Sequence, residues 1–150
     1  MEQKPKKSQE EVLLSWGRDM RRVNLHGALL EQLPDGSVRY ENPLLASGIP
    51  IRTWSSRIRF SDRAAVLLPF LEEGEVYDVT LCLTCTPAES VFVQFTFFDR
   101  SDARIGTALF SRNGSFVCPA GTYYYEISLV QGGAGELVFD HIGIAKRSTP

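Results

Sequence analysis

Apolar residues recur at every second position along most of this chain, the period of an extended strand with one face toward a core. The clearest run is Tyr77, Val79, Leu81, Leu83 and Cys85, alternating with Asp78, Thr80, Cys82 and Thr84. After Pro87 to Ser90, Val91, Val93, Phe95 and Phe97 alternate with Phe92, Gln94, Thr96 and Phe98. The pattern predicts two long strands of opposite direction, the second with phenylalanine on both faces. It also predicts a first strand through Val12, Leu14 and Trp16, an extended piece through Val23, Leu25, Gly27 and Leu29, and one face shared by Val38 and Tyr40. Trp54, Ser56, Ile58 and Phe60 form an inward face backed by Ser55, Arg57 and Arg59, a basic outward one. Later strands run through Ile105 to Phe110, through Phe116 and Cys118, and through Tyr123, Tyr125, Ile127 and Leu129. In the last, Leu137, Phe139, Ile142 and Ile144, the spacing shifts by one at Asp140-His141, which predicts a bulge.

The breaks between these runs carry turn chemistry. Pro34-Asp35-Gly36-Ser37 combines a preset φ, a side chain able to bond ahead to backbone, and a residue free to take positive φ. Asn42-Pro43 and Ser47-Gly48 flank Leu44-Leu45, and Asn113-Gly114 is a strong hairpin signal. Pro69 keeps Leu67 to Leu71 out of a central strand, so that stretch reads as an apolar connector or edge plugging the core. No window holds a capped 3.6-residue apolar period; the best helical stretch is a short turn near Asp62 to Leu68. Eight or more short strands punctuated by Gly, Pro and Asn predict an all-β fold: a single-domain antiparallel β-sandwich, jelly-roll-like, over residues 11–145. The polar segments 1–10 and 146–150 are expected to be disordered tails.

Composition narrows the function classes. The chain of 150 residues is 43% hydrophobic and 23% charged, which suits one globular domain with a full core. A net charge of -2 gives no global attraction to phosphate backbones, so nucleic acid is not an expected partner. Apolar runs such as Ala64 to Leu71 fall far short of the ~20 residues of a membrane-spanning helix, and Val12-Leu13-Leu14 is too short for a signal-peptide core. A cytoplasmic protein is the expectation. Cys82, Cys85 and Cys118 make an odd set without disulfide-framework spacing, in keeping with a reducing compartment.

Motifs that could carry chemistry are weak. Cys82 and Cys85 have metal-motif spacing, but three residues apart on a strand they point to opposite faces, so no metal site is expected there. Asp140-His141 beside a serine would evoke a triad, yet there is no G-x-S-x-G elbow and strand neighbours point apart. Glu72, Glu73 and Glu75 crowd one solvated turn, and the Asn113-Gly114-Ser115 sequon reads as a turn. No cofactor is expected. The aromatic residues remain: alternation predicts Trp54, Tyr123 and Tyr125 buried, with Trp54 a structural anchor, and Phe92, Phe98 and Tyr124 outward. Exposed aromatics and arginines anchor partners or stack on sugar rings, so Arg57, Arg59, Phe92, Phe98 and Tyr124 are the candidate partner- or glycan-binding residues.

The order and spacing of Tyr40-Glu41-Asn42-Pro43, Ser47-Gly48, Thr53-Trp54, Leu68-Pro69-Phe70-Leu71, Gly74-Glu75-Val76-Tyr77, Pro87-Ala88-Glu89-Ser90-Val91, Phe97-Phe98-Asp99-Arg100, Tyr125-Glu126-Ile127 and Leu137-Val138-Phe139 resembles the third accessory secretory proteins of the bacterial accessory Sec system. The resemblance runs from about Trp16 to Ile144. It implies a carbohydrate-binding-module-like sandwich without enzymatic activity, working in the cytosol, and peripheral to the membrane at most through its partners. Those partners would be two other accessory secretory proteins, the accessory translocation ATPase and a serine-rich repeat adhesin preprotein. The alternative is a lectin-like module that recognises glycans on the adhesin through an exposed aromatic, Trp54 or Tyr124 in a groove.

Overall fold

Strict alternation becomes a wall of the core in the computed structural model, which describes residues 11–17, 22–57, 68–133 and 135–147. Among those residues there are ten strands and no helix: β1 (Val12–Leu14), β2 (Leu29–Gln32), β3 (Val38–Glu41), β4 (Pro50–Ser55), β5 (Val76–Thr86), β6 (Val91–Phe98), β7 (Arg104–Phe110), β8 (Gly114–Val117), β9 (Tyr124–Gln131) and β10 (Glu136–Lys146). They form two antiparallel sheets. One has the order β2-β3-β10-β5-β8, with β1 also paired to β10, and the other the order β4-β9-β6-β7. Strand β10 serves two partners along one edge: β3 at Glu136 to Phe139 and β1 at Ile142 to Ile144.

The inner faces meet through aromatic rings. Phe116 of one sheet lies 4.8 Å from Phe95 and 5.4 Å from Phe97 of the other, centroid to centroid. At the opposite end Phe139 meets Trp54 at 5.6 Å and Trp16 at 5.9 Å. The Arg52 guanidinium sits among them, 5.0 Å from the Trp54 ring and 5.7 Å from Trp16, so the ring faces offer this buried cation an electrostatic partner. Burying these faces is the main favourable term in the fold.

The chain changes sheet at most connections, as a jelly roll does, and this overturns the hairpin expected at Asn113-Gly114. Strands β5 and β6 lie in different sheets, with β10 and β8 as the neighbours of β5. Asn113-Gly114 likewise joins β7 of one sheet to β8 of the other. Neither residue takes the positive φ of a tight hairpin. Gly114 is small for a different reason: a Cβ there would meet the Phe110 ring at 2.9 Å. The Asn113 side chain instead accepts a 2.8 Å bond from Leu81 N.

Other departures are local. The piece predicted through Val23 to Leu29 bends at Gly27, φ +78°, leaving Val23 bridged to Arg52 and Leu29 in β2. Strand β4 covers Pro50–Ser55, earlier than the alternation from Trp54 suggested, because Val23 and β9 supply its partners. Ile58, Arg59, Phe60, the turn predicted near Asp62 and the tail 1–10 lie outside the described residues. In the connector after them Leu71 is buried while Phe70 is 84% exposed. Strand β10 continues through Lys146, one residue into the expected tail, and Arg147 N just beyond it donates to Val76 O at 2.7 Å.

The turn chemistry holds where the side chains can act. Asp35 Oδ1 accepts from Ser37 N at 3.0 Å and closes the β2–β3 hairpin. Buried Asn42 donates to His26 O and to the Tyr40 hydroxyl, and accepts from Leu44 N, while Gln131 donates to Asn42 O and Leu45 O. This network satisfies polar groups that would each cost about 1–3 kcal/mol if buried unpaired, and it seats the 42–49 loop on the sandwich.

Candidate functional site

Outward residues of β6 and β9 converge at the end of the four-stranded sheet. In the register Phe98 opposes Tyr124, and their rings stack at 4.7 Å with planes 9° apart. Arg57, just beyond β4, lies 5.3 Å over the Tyr124 ring. Asp102 ties the group together: its Oδ1 accepts from Arg57 Nη1 at 2.8 Å and from the Tyr124 hydroxyl at 2.9 Å.

The β6–β7 turn explains how Asp102 gets there. Asp99 Oδ1 accepts from Ser101 N, Ser101 Oγ and Ala103 N, and these bonds hold its carboxyl below the ordinary carboxylate value. Asp102 itself takes positive φ, +67°, a conformation aspartate tolerates better than most residues. Desolvation, then the nearby Asp102 carboxylate, push the Tyr124 phenol up from its usual value. Beside the stack, Arg100 lies 5.1 Å over Tyr123, and both line an open cleft of about 430 Å³ with Glu73, Asp99 and Thr122.

Three of the five candidate binding residues, Arg57, Phe98 and Tyr124, thus share one ledge. Phe92 points outward too, but from the far end of β6, where it lines a separate shallow cleft with Gln94, Arg104 and Leu109. Arg59 lies outside the described residues. Trp54 is only 3% exposed and donates its indole N–H to Trp16 O at 3.3 Å, so it can face no sugar. Tyr123, predicted buried with Tyr125, is 58% exposed: it precedes β9, where alternation no longer orients a side chain. Tyr125 is buried, its hydroxyl donating to Pro69 O. Sequence spacing missed Arg100 and Asp102. Their polar turn was visible, but the pairing of Asp102 with Arg57 spans 45 positions.

The ledge is an aromatic and guanidinium surface with one carboxylate, suited to contact rather than covalent chemistry. Residues 25–146 match the model of the family described as accessory Sec secretory system ASP3. The chain belongs to this family. It is 33% identical over 117 residues to the accessory Sec system ASP3 protein of Streptococcus gordonii, covering 77% of this chain and 74% of that protein. It is also 30% identical to the accessory Sec system ASP3 protein of Staphylococcus aureus over 70% of this chain, though it spans only 34% of that longer relative.

Solved structures agree. A chain in the crystal structure of accessory secretory proteins 1, 2 and 3 from Streptococcus pneumoniae matches with TM-score 0.83 and 29% identity, over 96% of this chain and 99% of that one. A chain of the Glycosylation Associate Protein (Gap123) complex from Streptococcus agalactiae gives TM-score 0.83 and 27% identity, over 93% of this chain and 46% of that one. A xylanase carbohydrate-binding module matches at TM-score 0.55 and 15% identity, over 95% of this chain and 100% of that one, a likeness of fold alone. The ASP3-family chain is therefore an accessory Sec component on a carbohydrate-binding-module-like β-sandwich. No helix among its described residues is long and apolar enough to cross a membrane.

Proposed function

We propose that this chain is a non-enzymatic binding subunit of accessory Sec export, holding sister accessory secretory proteins and the serine-rich repeat adhesin preprotein together for modification and transport. The observation that carries this reading is the near-complete match, 96% of this chain on 99% of the other, to a chain from an assembled structure of accessory secretory proteins 1, 2 and 3. The ledge of Arg57, Phe98 and Tyr124 supports it, because aromatic and arginine side chains dominate binding energy at protein interfaces. In this role the subunit works in the cytoplasm beside the accessory translocation ATPase, held near the membrane by its partners.

Co-expression with accessory secretory proteins 1 and 2 of its own organism tests the reading. A stable complex is expected on size exclusion, and it should capture the adhesin preprotein; a chain that elutes alone overturns it. Tyr124→Ala should weaken one of the two associations without unfolding the domain.

A second reading, a lectin-like module for adhesin glycans, is favoured by one observation: the cleft lined by Tyr123 and Arg100 beside the Phe98–Tyr124 stack, on a fold shared with a xylanase module. Aromatic faces stack on sugar rings. Calorimetry with glycosylated and unmodified adhesin repeats separates the two, since equal affinity for both removes the lectin reading.

A further inference from the structure

The bulge in β10 does more than break a ladder. Between the two fully buried residues Phe139 and Ile142, plain alternation leaves room for one outward side chain, yet Asp140 and His141 both stand outside. The register confirms the extra residue: Phe139 pairs with Leu83, while His141 pairs with Cys82. Strand neighbours that should point apart are therefore brought to one side, opposite an exposed thiol on β5. Asp140 Oδ2 lies 4.0 Å from Cys82 Sγ, and Asp140 Oδ1 lies 3.5 Å from His141 Nδ1. One donor atom from each residue falls within 4.8 Å of the other two. Cys85, the other half of the C-x-x-C spacing, faces the opposite way and packs against the core.

We propose that Cys82, Asp140 and His141 form a three-ligand site for a borderline divalent cation of the zinc class. The donor set selects the class: thiolate and imidazole suit zinc-like ions, whereas magnesium and calcium take oxygen shells. With Zn–S near 2.3 Å and Zn–N near 2.0 Å, tetrahedral donors sit about 3.3–3.6 Å apart. The carboxylate–imidazole pair already has that spacing at 3.5 Å. The thiol stands 4.0 Å from the other carboxylate oxygen, Oδ2, so with the carboxylate ligating through both oxygens a small rotation of the exposed cysteine brings Sγ into the same shell. Three protein donors leave a fourth position for water or an incoming ligand, and the site opens on the face of the six-stranded sheet that looks away from the core.

The full-length, tag-free, reduced chain, stripped with chelator and titrated with Co²⁺ alone, tests the proposal. Binding is expected at one ion per chain, with a sulfur-to-cobalt charge-transfer band in the near ultraviolet and visible bands of tetrahedral intensity, both abolished by added Zn²⁺. Cys82→Ser should remove the charge-transfer band. His141→Gln should weaken binding by at least ~100-fold, the upper end of what even outer-shell partners cost. Cys85→Ser should change neither band. Absence of the band, its survival in folded Cys82→Ser, or its loss in folded Cys85→Ser overturns the site, and circular dichroism of each variant establishes that it is folded.

Discussion

Strands β6 and β10 run through opposite sheets of the same sandwich and obey different rules. In β6 alternation is unbroken: Val91, Val93, Phe95 and Phe97 are buried, and Phe92, Gln94, Thr96 and Phe98 face outward. In β10 it is interrupted at Asp140, where the register against β5 slips by one. The interruption sits where the other edge of β10 passes from β3 to β1. A bulge bends its strand and raises the local twist. One long strand thereby serves two short partners, and a pair of outward side chains is gathered where a regular strand would separate them.

The largest expected effect comes from removing one residue from each strand. Deleting Gln94 turns one half of β6 inside out, since a one-residue slip moves a whole apolar set to the other face. That variant should fail to fold, as read by loss of a cooperative denaturation transition. Deleting Asp140 leaves Phe139 and Ile142 both inward, so it should fold with a loss of about 1–3 kcal/mol while the convergence with Cys82 disappears. If the Asp140 deletion unfolds and the Gln94 deletion does not, the contrast between the strands is wrong.

A smaller perturbation separates the two faces of β6. Phe95 is completely buried and packs on Phe97, Phe110, Phe116 and Tyr125. Phe95→Ala should cost about 3–5 kcal/mol, seen as a lower urea midpoint at unchanged slope. Phe98→Ala removes only the outer stack on Tyr124 and should cost about 0.5–1.5 kcal/mol.

Adjacent tyrosines on β9 sharpen the contrast through pH. Burial raises the Tyr125 phenol far above its ordinary 10.0, so the folded state keeps a proton that the unfolded chain releases. That contribution is fully present below pH 10.0 and is lost as pH rises beyond it. Tyr125→Phe should reduce the alkaline loss of stability, at a cost of about 1 kcal/mol near neutrality for the bond to Pro69 O. Tyr124→Phe, on the exposed ledge, should change the alkaline profile less.

The smallest effect concerns the turn beneath the ledge. Asp99 is held below its ordinary 3.8 first by its side-chain bond to Ser101, so its contribution is present above 3.8 and lost as pH falls through the lowered folded value. Asp99→Asn should flatten the acid limb of a pH–stability curve. An unchanged limb would remove the turn's role in positioning Asp102.

Faces and most turns were legible before any fold was known. Trp54, Val93 and Tyr125 went to the core on spacing alone, and the shift at Asp140-His141 announced its bulge. Neighbours were not legible. Nothing in the two runs of β5 and β6 marked them for different sheets, and Asn113-Gly114 looked like a hairpin between β7 and β8, yet both connections cross between sheets. Of the ledge, Phe98 and Tyr124 were visible as outward aromatics; their stacking, and the place of Asp102 between Arg57 and Tyr124, were not.

The reason is the range over which each property is decided. Which face a side chain takes follows from the pleat of its own extended backbone, so inside and outside, the all-β class and the order of motifs that marks the family are all written in the chain alone. Which strands lie side by side depends on closing long segments of chain into two sheets at once, with no local signature at either partner. It takes the assembled sandwich to set β10 against β5, to bring Arg57 to Asp102, and to gather a thiol, a carboxylate and an imidazole across a bulge.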